Sequence, residues 1–301
     1  MKSSGGQVPA AAVLMILCAV LCFSVLDGMI KTMAAHLPVP FLVWARWSFQ
    51  VVAMLIWLVP TMGRRMIKTT RVPMQLLRGV LLITSSLCTM SALKFLPLAD
   101  VTALNFLAPT LVMLLAVMFL EEQLTPARIA FVVAGLAGML MIVQPGADIF
   151  QGASLFAIAS AVSYAFYQVL TRHMADEDPR VLLFIPASVG AFILTFSWLF
   201  FGSAIDITWM DMAKLVAIGV LGTTGHFLFI LAFQRAPASA LTPFTFLQLV
   251  FATLIGWIVF KDFPDGLTLA GMAVIGGSGL LLTWYERRRR VYVPPDPPAV
   301  D

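Results

Sequence analysis

Charge is what this 301-residue chain has least of: Asp, Glu, Lys and Arg together make up 11% of it. A soluble domain carries about 25% charged residues, so too little polar surface exists to coat a water-soluble globule. Histidine is scarce too, with 3 residues. No His, Cys and Glu set gathers around His226, the one in the middle of an apolar run, which argues against a metal site. The 3 cysteines, Cys18, Cys22 and Cys88, lie inside apolar runs. Buried thiols there behave as small apolar side chains, and no disulfide is expected. The chain lacks a phosphate loop, a nucleotide fingerprint, a metal motif and a nucleophile elbow. ATP hydrolysis is excluded and no cofactor is expected. A lipid-modifying enzyme would need His, Asp or Ser clustered near a membrane interface, and no such cluster is evident.

What is present is apolar length. Hydrophobic residues make up 60% of the chain and the mean hydropathy is +0.96. Ten apolar stretches of about 18–25 residues follow one another between short polar or Pro/Gly breaks, and about 20 apolar residues span a bilayer core as a helix. They predict helices at 9–35, 39–59, 73–95, 98–120, 126–144, 152–174, 180–201, 212–234, 240–260 and 266–286. The fold class is an all-α membrane protein, because lipid leaves no other way to satisfy so many backbone groups and nothing alternates like a barrel strand. Little length remains for a soluble domain. The first stretch is too long for a signal-peptide core and is read as a span.

The formal charge of +4 belongs to the membrane flanks and does not point to nucleic acid. With the N-terminus inside, the inner loops hold Lys2, Arg64, Arg65, Lys68, Arg71, Arg128, Arg172, Arg180, Arg235 and Arg287 to Arg290. The outer ends hold only Lys94, Lys214 and Lys261. That asymmetry predicts a multi-pass protein of the cell inner (plasma) membrane with both termini cytoplasmic. A basic, Pro-rich tail, 287–301, follows the last span, and its end from Val293 has a disordered composition.

The halves repeat. Gly79-Val80-Leu81 matches Gly219-Val220-Leu221, an offset of 219 − 79 = 140. At the same offset Thr84 meets Thr224, Pro97 meets Pro237, Phe106 meets Phe246, Leu107 meets Leu247 and Leu114 meets Leu254. Spans three and four thus correspond to spans eight and nine. Each half, 9–144 and 152–286, holds five spans. Five is odd, so the second half is expected to enter the membrane inverted, as in many secondary transporters.

Three pieces of this sequence resemble a known family: "LLRGVLL" at 76–82, "ALKFLPLADVTALNFLAPTLVMLLAVMFLEEQLT" at 92–125, and "FKDFPDGLTLAGMAVIGG" at 260–277. With the acidic pair Glu121-Glu122 and the basic Arg46 in span two, the chain is similar to the drug/metabolite transporter superfamily, in its EamA branch. The resemblance implies ten helices in two inverted repeats and transport by alternating access. The "RG" opening of span three and the "FPD" before span ten look most similar to carriers of S-adenosylmethionine and riboflavin. Phe23-Ser24 stands where aromatic amino-acid exporters of this branch carry "WS".

Ionisable groups inside spans are expensive and usually functional. Asp27 and Arg46 each lie about 10–12 Å below the outer boundary, and the short loop between their spans predicts antiparallel neighbours joined by an Asp27–Arg46 ion pair. The pair is either structural or opens onto a substrate carboxylate or amine, with Asp27 also placed to carry a coupling proton. His226, whose repeat-mate is Ser86, is either a packing residue or a midplane binding and proton-relay group. Lys31 is expected to snorkel outward. Polar stripes run along four spans: Ser24, Asp27 and Lys31; Thr102, Asn105 and Pro109; Ser160, Tyr164, Tyr167, Gln168 and Thr171; and Thr242, Thr245 and Gln248. A water-filled cavity would give all four a common interior; interhelical hydrogen bonding in a dry bundle is the other reading. Tyr164, Tyr167, Trp44 and Phe246 add aromatic surface suited to a flat or cationic substrate.

The expected substrate-binding and gating set is Asp27, Arg46, Ser86, Asn105, Tyr164, Tyr167, Gln168, His226, Thr245, Phe246 and Gln248. The expected partners are a small-molecule metabolite, a coupling proton or exchanged substrate, and membrane lipid. Spans five and ten, glycine-rich and nearly free of polar groups, are expected to be peripheral supports or the face of a homodimer.

Overall fold

The computed structural model describes residues 9–120, 125–144, 152–174, 177–196, 205, 207–235, 241 and 244–290. Every regular element among them is helical. We number them α1 (Ala10–Ala34), α2 (Val39–Met62), α3 (Val72–Phe95), α4 (Leu98–Asn105), α5 (Ala108–Leu120), α6 (Pro126–Val143), α7 (Ala153–His173), α8 (Pro179–Thr195), α9 (Trp209–Arg235), α10 (Leu247–Ile255) and α11 (Gly266–Arg290). A π-helical turn, Gly256–Phe260, continues α10. Seven segments are long and apolar enough to cross a membrane, and three shorter apolar helices accompany them. The chain is a multi-pass membrane protein. Glu121, Glu122, Thr242 and the tail beyond Arg290 lie outside the described residues.

Prolines set many of the helix starts. Pro38, Pro97 and Pro9 stand at N-caps, and Pro40, Pro73 and Pro179 occupy the first turns, where a missing N–H costs nothing. Thr208 and Asp211 cap α9 reciprocally: the Asp211 amide donates to Thr208 Oγ1 (3.1 Å) and the Thr208 amide to Asp211 Oδ2 (3.2 Å).

Where the residues are described, the helices begin and end within a few residues of the predicted spans, with one informative difference; 197–201, 240 and 242–243, in the seventh and ninth predicted spans, lie outside the described residues. Span four is broken. α4 ends at Asn105, and α5 resumes at Ala108. Span nine departs from regular helix at its repeat-mate position, Phe246. The rings of Phe106 and Phe246 stack there, 5.0 Å apart at 23°.

Packing follows the glycines. α1 lies chiefly on α9, α3 on α7, and α6 on α11, while α2 lies on α8 and α9. A Cβ at Gly79 would meet Val189 of α8 at 2.6 Å, and one at Gly219 would overlap the Phe49 ring of α2. These two close approaches are related residue for residue by the offset of 140, since 219 − 79 = 140 and 189 − 49 = 140. Gly138 and Gly271 let α6 and α11 meet backbone to backbone: each missing Cβ would lie 2.8 or 2.7 Å from the other's carbonyl oxygen. That glycine seam is internal to the chain.

The apolar core is lopsided. Its main cluster joins Leu26 to Leu37, Phe41 to Trp47, Ile83 to Leu96 and Leu98 to Leu104, together with Ala153, Leu194 and Ile218. All of these lie toward the end of the bundle that carries the α1–α2 turn. The opposite end holds separate small clusters, around Ile16 and Ala232, and around Met54, Met66 and Phe184. Among the described residues the helices are therefore sealed together chiefly at the end that carries the α1–α2 turn.

Candidate functional site

The sealed end is also latched by polar contacts. His36 Nε2, in the α1–α2 turn, lies 2.9 Å from Asp211 Oδ1 at the start of α9. Lys31 also reaches toward this end, where protein groups receive it. Its ammonium donates to the Leu96 carbonyl at 2.6 Å, lies 3.9 Å from Asp262, and stands 5.3 Å over the Phe260 ring. The terminal carbonyls of α3 have no intrahelical donor, and a cation satisfies them.

Counting about 1.5 Å per residue from this end, Asp27, Arg46, Gly222 and Tyr164 all lie about 10–20 Å into the bundle. They come from α1, α2, α9 and α7. Arg46 is the hub. Its charge acts on Asp27, on Tyr164 and on His226. Protein surrounds these groups, yet Asp27, Arg46 and His226 keep accessible surface and Tyr164 is 41% exposed. They share one interior region and each keeps part of its surface uncovered by protein.

The expected Asp27–Arg46 ion pair is not made: no contact within 4.0 Å joins them, and they act on each other at longer range. The reason is α9, which packs against both α1 and α2. A Cβ at Gly222 would meet Leu26 of α1 at 3.2 Å and Arg46 Nε at 3.9 Å. The smallness of glycine admits α9 between the two helices that the short loop had suggested were close neighbours.

Several buried polar atoms in the interior find no protein partner: Arg46 Nε, Gln50 Oε1, Thr223 Oγ1, His226 Nε2 and Asn105 Oδ1. Gln50 sits one turn beyond Arg46 on α2, and Thr223 one turn before His226 on α9, so each pair shares a face. A buried polar atom without a partner costs about 1–3 kcal/mol. Four on two touching helices, beside a guanidinium and a carboxylate that are not paired, make a surface for a polar ligand. The His226 ring also packs against Phe23, 5.0 Å between centroids.

Other expected site residues are committed elsewhere. Ser86 accepts from Trp47 Nε1 at 3.2 Å. Ser160 bonds Ser85 and Thr89, at 3.1 and 2.6 Å, in a dry seam between α3 and α7. The Phe246 ring is used in its stack on Phe106, and its tip abuts Gly279. The backbone carbonyl of Gln248 accepts from Ser24 Oγ at 3.3 Å, which ties α10 to α1. Thr245, Gln168 and the Gln248 side chain are half-buried. Tyr164 and Tyr167 stack, 5.8 Å apart at 17°.

The sequence reading missed Gln50, Thr223 and Arg78. Arg78 is fully buried on α3, inside the "RG" motif. Gln50 and Thr223 carried a signal, polar residues at i+4 and i−3 from two residues that were singled out. The three cysteines are free, and no cluster of three or more metal-ligating side chains occurs among the described residues.

Known proteins agree with this architecture. The chain is 27% identical to an S-adenosylmethionine uptake transporter of Rickettsia bellii over 231 residues, covering 75% of this chain and 77% of that one. It is 29% identical to a riboflavin transporter of Brucella anthropi, covering 81% and 88%. It is 28% identical to the pseudopaline exporter CntI of Pseudomonas aeruginosa, covering 88% and 93%. A crystal structure of a protein 22% identical aligns with a TM-score of 0.64 over 93% of this chain and 99% of its own, a likeness of fold. The pattern of the EamA-like transporter family matches residues 10–144 and again 151–284. With both halves matched, this chain belongs to the EamA-like transporter family.

Proposed function

We propose that this protein is a secondary carrier for a small, polar, amino-acid-derived zwitterion, such as an amino acid or S-adenosylmethionine, across the cell inner membrane. It is a transporter and not an enzyme; substrate and mechanism are our reading. The observation that carries it is the convergence of unpaired Arg46 and Asp27 with the unpartnered atoms of Gln50, Thr223 and His226. A carboxylate suits Arg46 and an ammonium or sulfonium suits Asp27. Asn105, Gln168, Thr245 and Gln248 extend the polar lining.

Ten spans in two inverted five-helix repeats, 9–144 and 152–286, provide the cycle. The twofold match of the family pattern and the paired approaches Gly79–Val189 and Gly219–Phe49 support that division. Two related packings of the same helices give an outward-open and an inward-open state. The sealed end is outer if both termini are cytoplasmic, so the present arrangement corresponds to the inward-facing side of the cycle. Coupling runs through Asp27 or His226 as a proton site, or through exchange. The stacked Tyr164–Tyr167 pair favours a second reading, a riboflavin-type flat heterocycle or a lipophilic cation.

The test is thermal stabilisation of the purified protein by amino acids, S-adenosylmethionine, nucleosides and flavins at two pH values, since a ligand raises stability by mass action. A compound whose effect is lost in Asp27→Asn and in Arg46→Gln is the expected result. A ligand whose effect is untouched by both variants would overturn the site, and stabilisation by lipophilic cations alone would overturn the zwitterion.

A further inference from the structure

Arg78 is the charged side chain with the least exposed surface among the described residues, and the transport reading leaves it unused. It has no accessible surface, and holding a guanidinium out of water costs several kcal/mol unless its donors are met. Here they are. Nε donates to Thr171 Oγ1 (3.0 Å), Nη1 to Gln75 Oε1 (2.7 Å), and Nη2 to the Leu182 carbonyl (3.0 Å) and the Tyr167 hydroxyl (3.4 Å). All four acceptors are neutral. The nearest carboxylate acts through a relay: Gln75 Nε2 donates to Glu177 Oε2 at 2.8 Å, and Thr69 holds the same carboxylate at 2.8 and 3.0 Å. Gly79 makes the reach to α8 feasible, because a Cβ there would strike Val189. The "RG" pair thus works as a unit: the glycine draws α8 in and the arginine fastens it.

Fastening alone does not account for arginine. Apolar residues of similar volume join helices as well or better, and replacing buried ion networks by them is often neutral or stabilising. What a guanidinium adds is the placement of Tyr167. Its Cζ lies 5.0 Å from the Tyr167 ring centroid while Nη2 holds the hydroxyl. The ring is thereby fixed at both its face and its tip. Tyr167 in turn stacks on Tyr164, which keeps 41% of its surface accessible.

We propose that Arg78 is a positioning residue for the cavity wall: through Tyr167 it sets the Tyr164 ring, and it does so from a node joining α3, α7 and α8. It rests on our reading that Tyr164 lines the binding cavity. A shift in the spacing of α3 and α8 then moves the aromatic surface against which a planar part of a substrate would lie. Arg78 itself touches no ligand.

The experiment needs no ligand, so its outcome is separable from that of the transport reading. The protein is labelled with 3-fluorotyrosine at its 4 tyrosines, and the 19F signals are assigned by Tyr→Phe substitution. Arg78→Gln should shift the signals of both Tyr167 and Tyr164 and leave Tyr285 in place. Arg78→Lys should recover melting temperature without restoring the Tyr164 signal, because an ammonium cannot hold ring and hydroxyl together. If Arg78→Gln fails to fold, Gln75→Leu decides, since it loosens Arg78 without touching either tyrosine. Movement of Tyr167 alone would overturn the proposal. So would equal movement of every tyrosine, which would mean a general loosening.

Discussion

Gly271→Ala should destabilise this protein, while Gly277→Ala, six residues along the same helix, should stabilise it. In an open helical site alanine gains about 0.5–1 kcal/mol over glycine. At Gly277 nothing lies within 4 Å of the added Cβ, so that gain is kept. At Gly271 the Cβ would lie 2.7 Å from the Gly138 carbonyl oxygen, 2.8 Å from Ile142 Cγ1 and 3.2 Å from Met141 Cβ. The first neighbour is backbone and cannot rotate away, so α6 and α11 must part. Overpacking of this kind costs about 1–3 kcal/mol, and the net is a loss of about 1–2 kcal/mol. At roughly 2 °C per kcal/mol for a chain of this size, the two variants should melt about 3–6 °C apart, on opposite sides of the parent. Thermal unfolding in detergent, followed by tryptophan fluorescence, reads this directly. A Gly271→Ala variant that melts at or above the parent would refute the close α6–α11 seam.

Gln50→Leu removes a buried acceptor that no protein group satisfies, so melting temperature should hold or rise while affinity for the stabilising compound falls about tenfold; a fall in both would make Gln50 structural. His36→Ala cuts the 2.9 Å link to Asp211 at the sealed end. In a background without native cysteines, a cysteine at buried Met90 should react about tenfold faster with an impermeant maleimide, the shift expected for a lost hydrogen bond to a charged group. An unchanged rate would mean that the latch does not hold that end shut. At the N-cap of α8 the hydrogen bond from the Arg180 side chain, with that from its amide, holds the Asp178 carboxyl below its ordinary value. A depressed carboxyl stabilises above its unfolded value of about 3.9 and loses that contribution as pH falls through the folded one. Amide protection in the first turn of α8, corrected for the intrinsic pH dependence of exchange, should therefore fall slightly below about pH 4, a small effect for so exposed a pair. A profile flat to pH 2 would refute it.

The spans were legible because lipid enforces a simple rule on composition, and prolines mark many starts. Pairing of the helices was not legible in the same way. A short loop between α1 and α2 suggested direct neighbours, but loop length bounds only the distance between two ends. The side chains along the helices decide what lies between, and the Gly219, Gly222, Gly225 series admits α9 there. The same series was visible as small residues at steps of three; which helices it receives depends on residues far away in the chain, such as Phe49 and Phe23. The break at Phe106 likewise falls inside a run read as one span. Asn105, which ends α4, and Pro109, in the first turn of α5, flank it, and its repeat-mate Phe246 stands on the other side of the stack.

At the site, hydropathy found the charges and misjudged their partners. Asp27 and Arg46 stand out in apolar runs, and a buried charge has to answer to something. Sequence offered each as the other's counter-ion. The fold instead leaves both turned to a common space, with unsatisfied polar atoms one turn from Arg46 and from His226. Arg78 was overlooked for the opposite reason. Near the start of its span it looks like an ordinary flanking cation, and only the approach of α7 and α8 makes it the most enclosed charge among the described residues. A flanking arginine and a functional one differ in what packs over them. The glycine beside Arg78 is the one local trace of that packing, because an arginine beside a residue that admits a second helix cannot stay in the interface water.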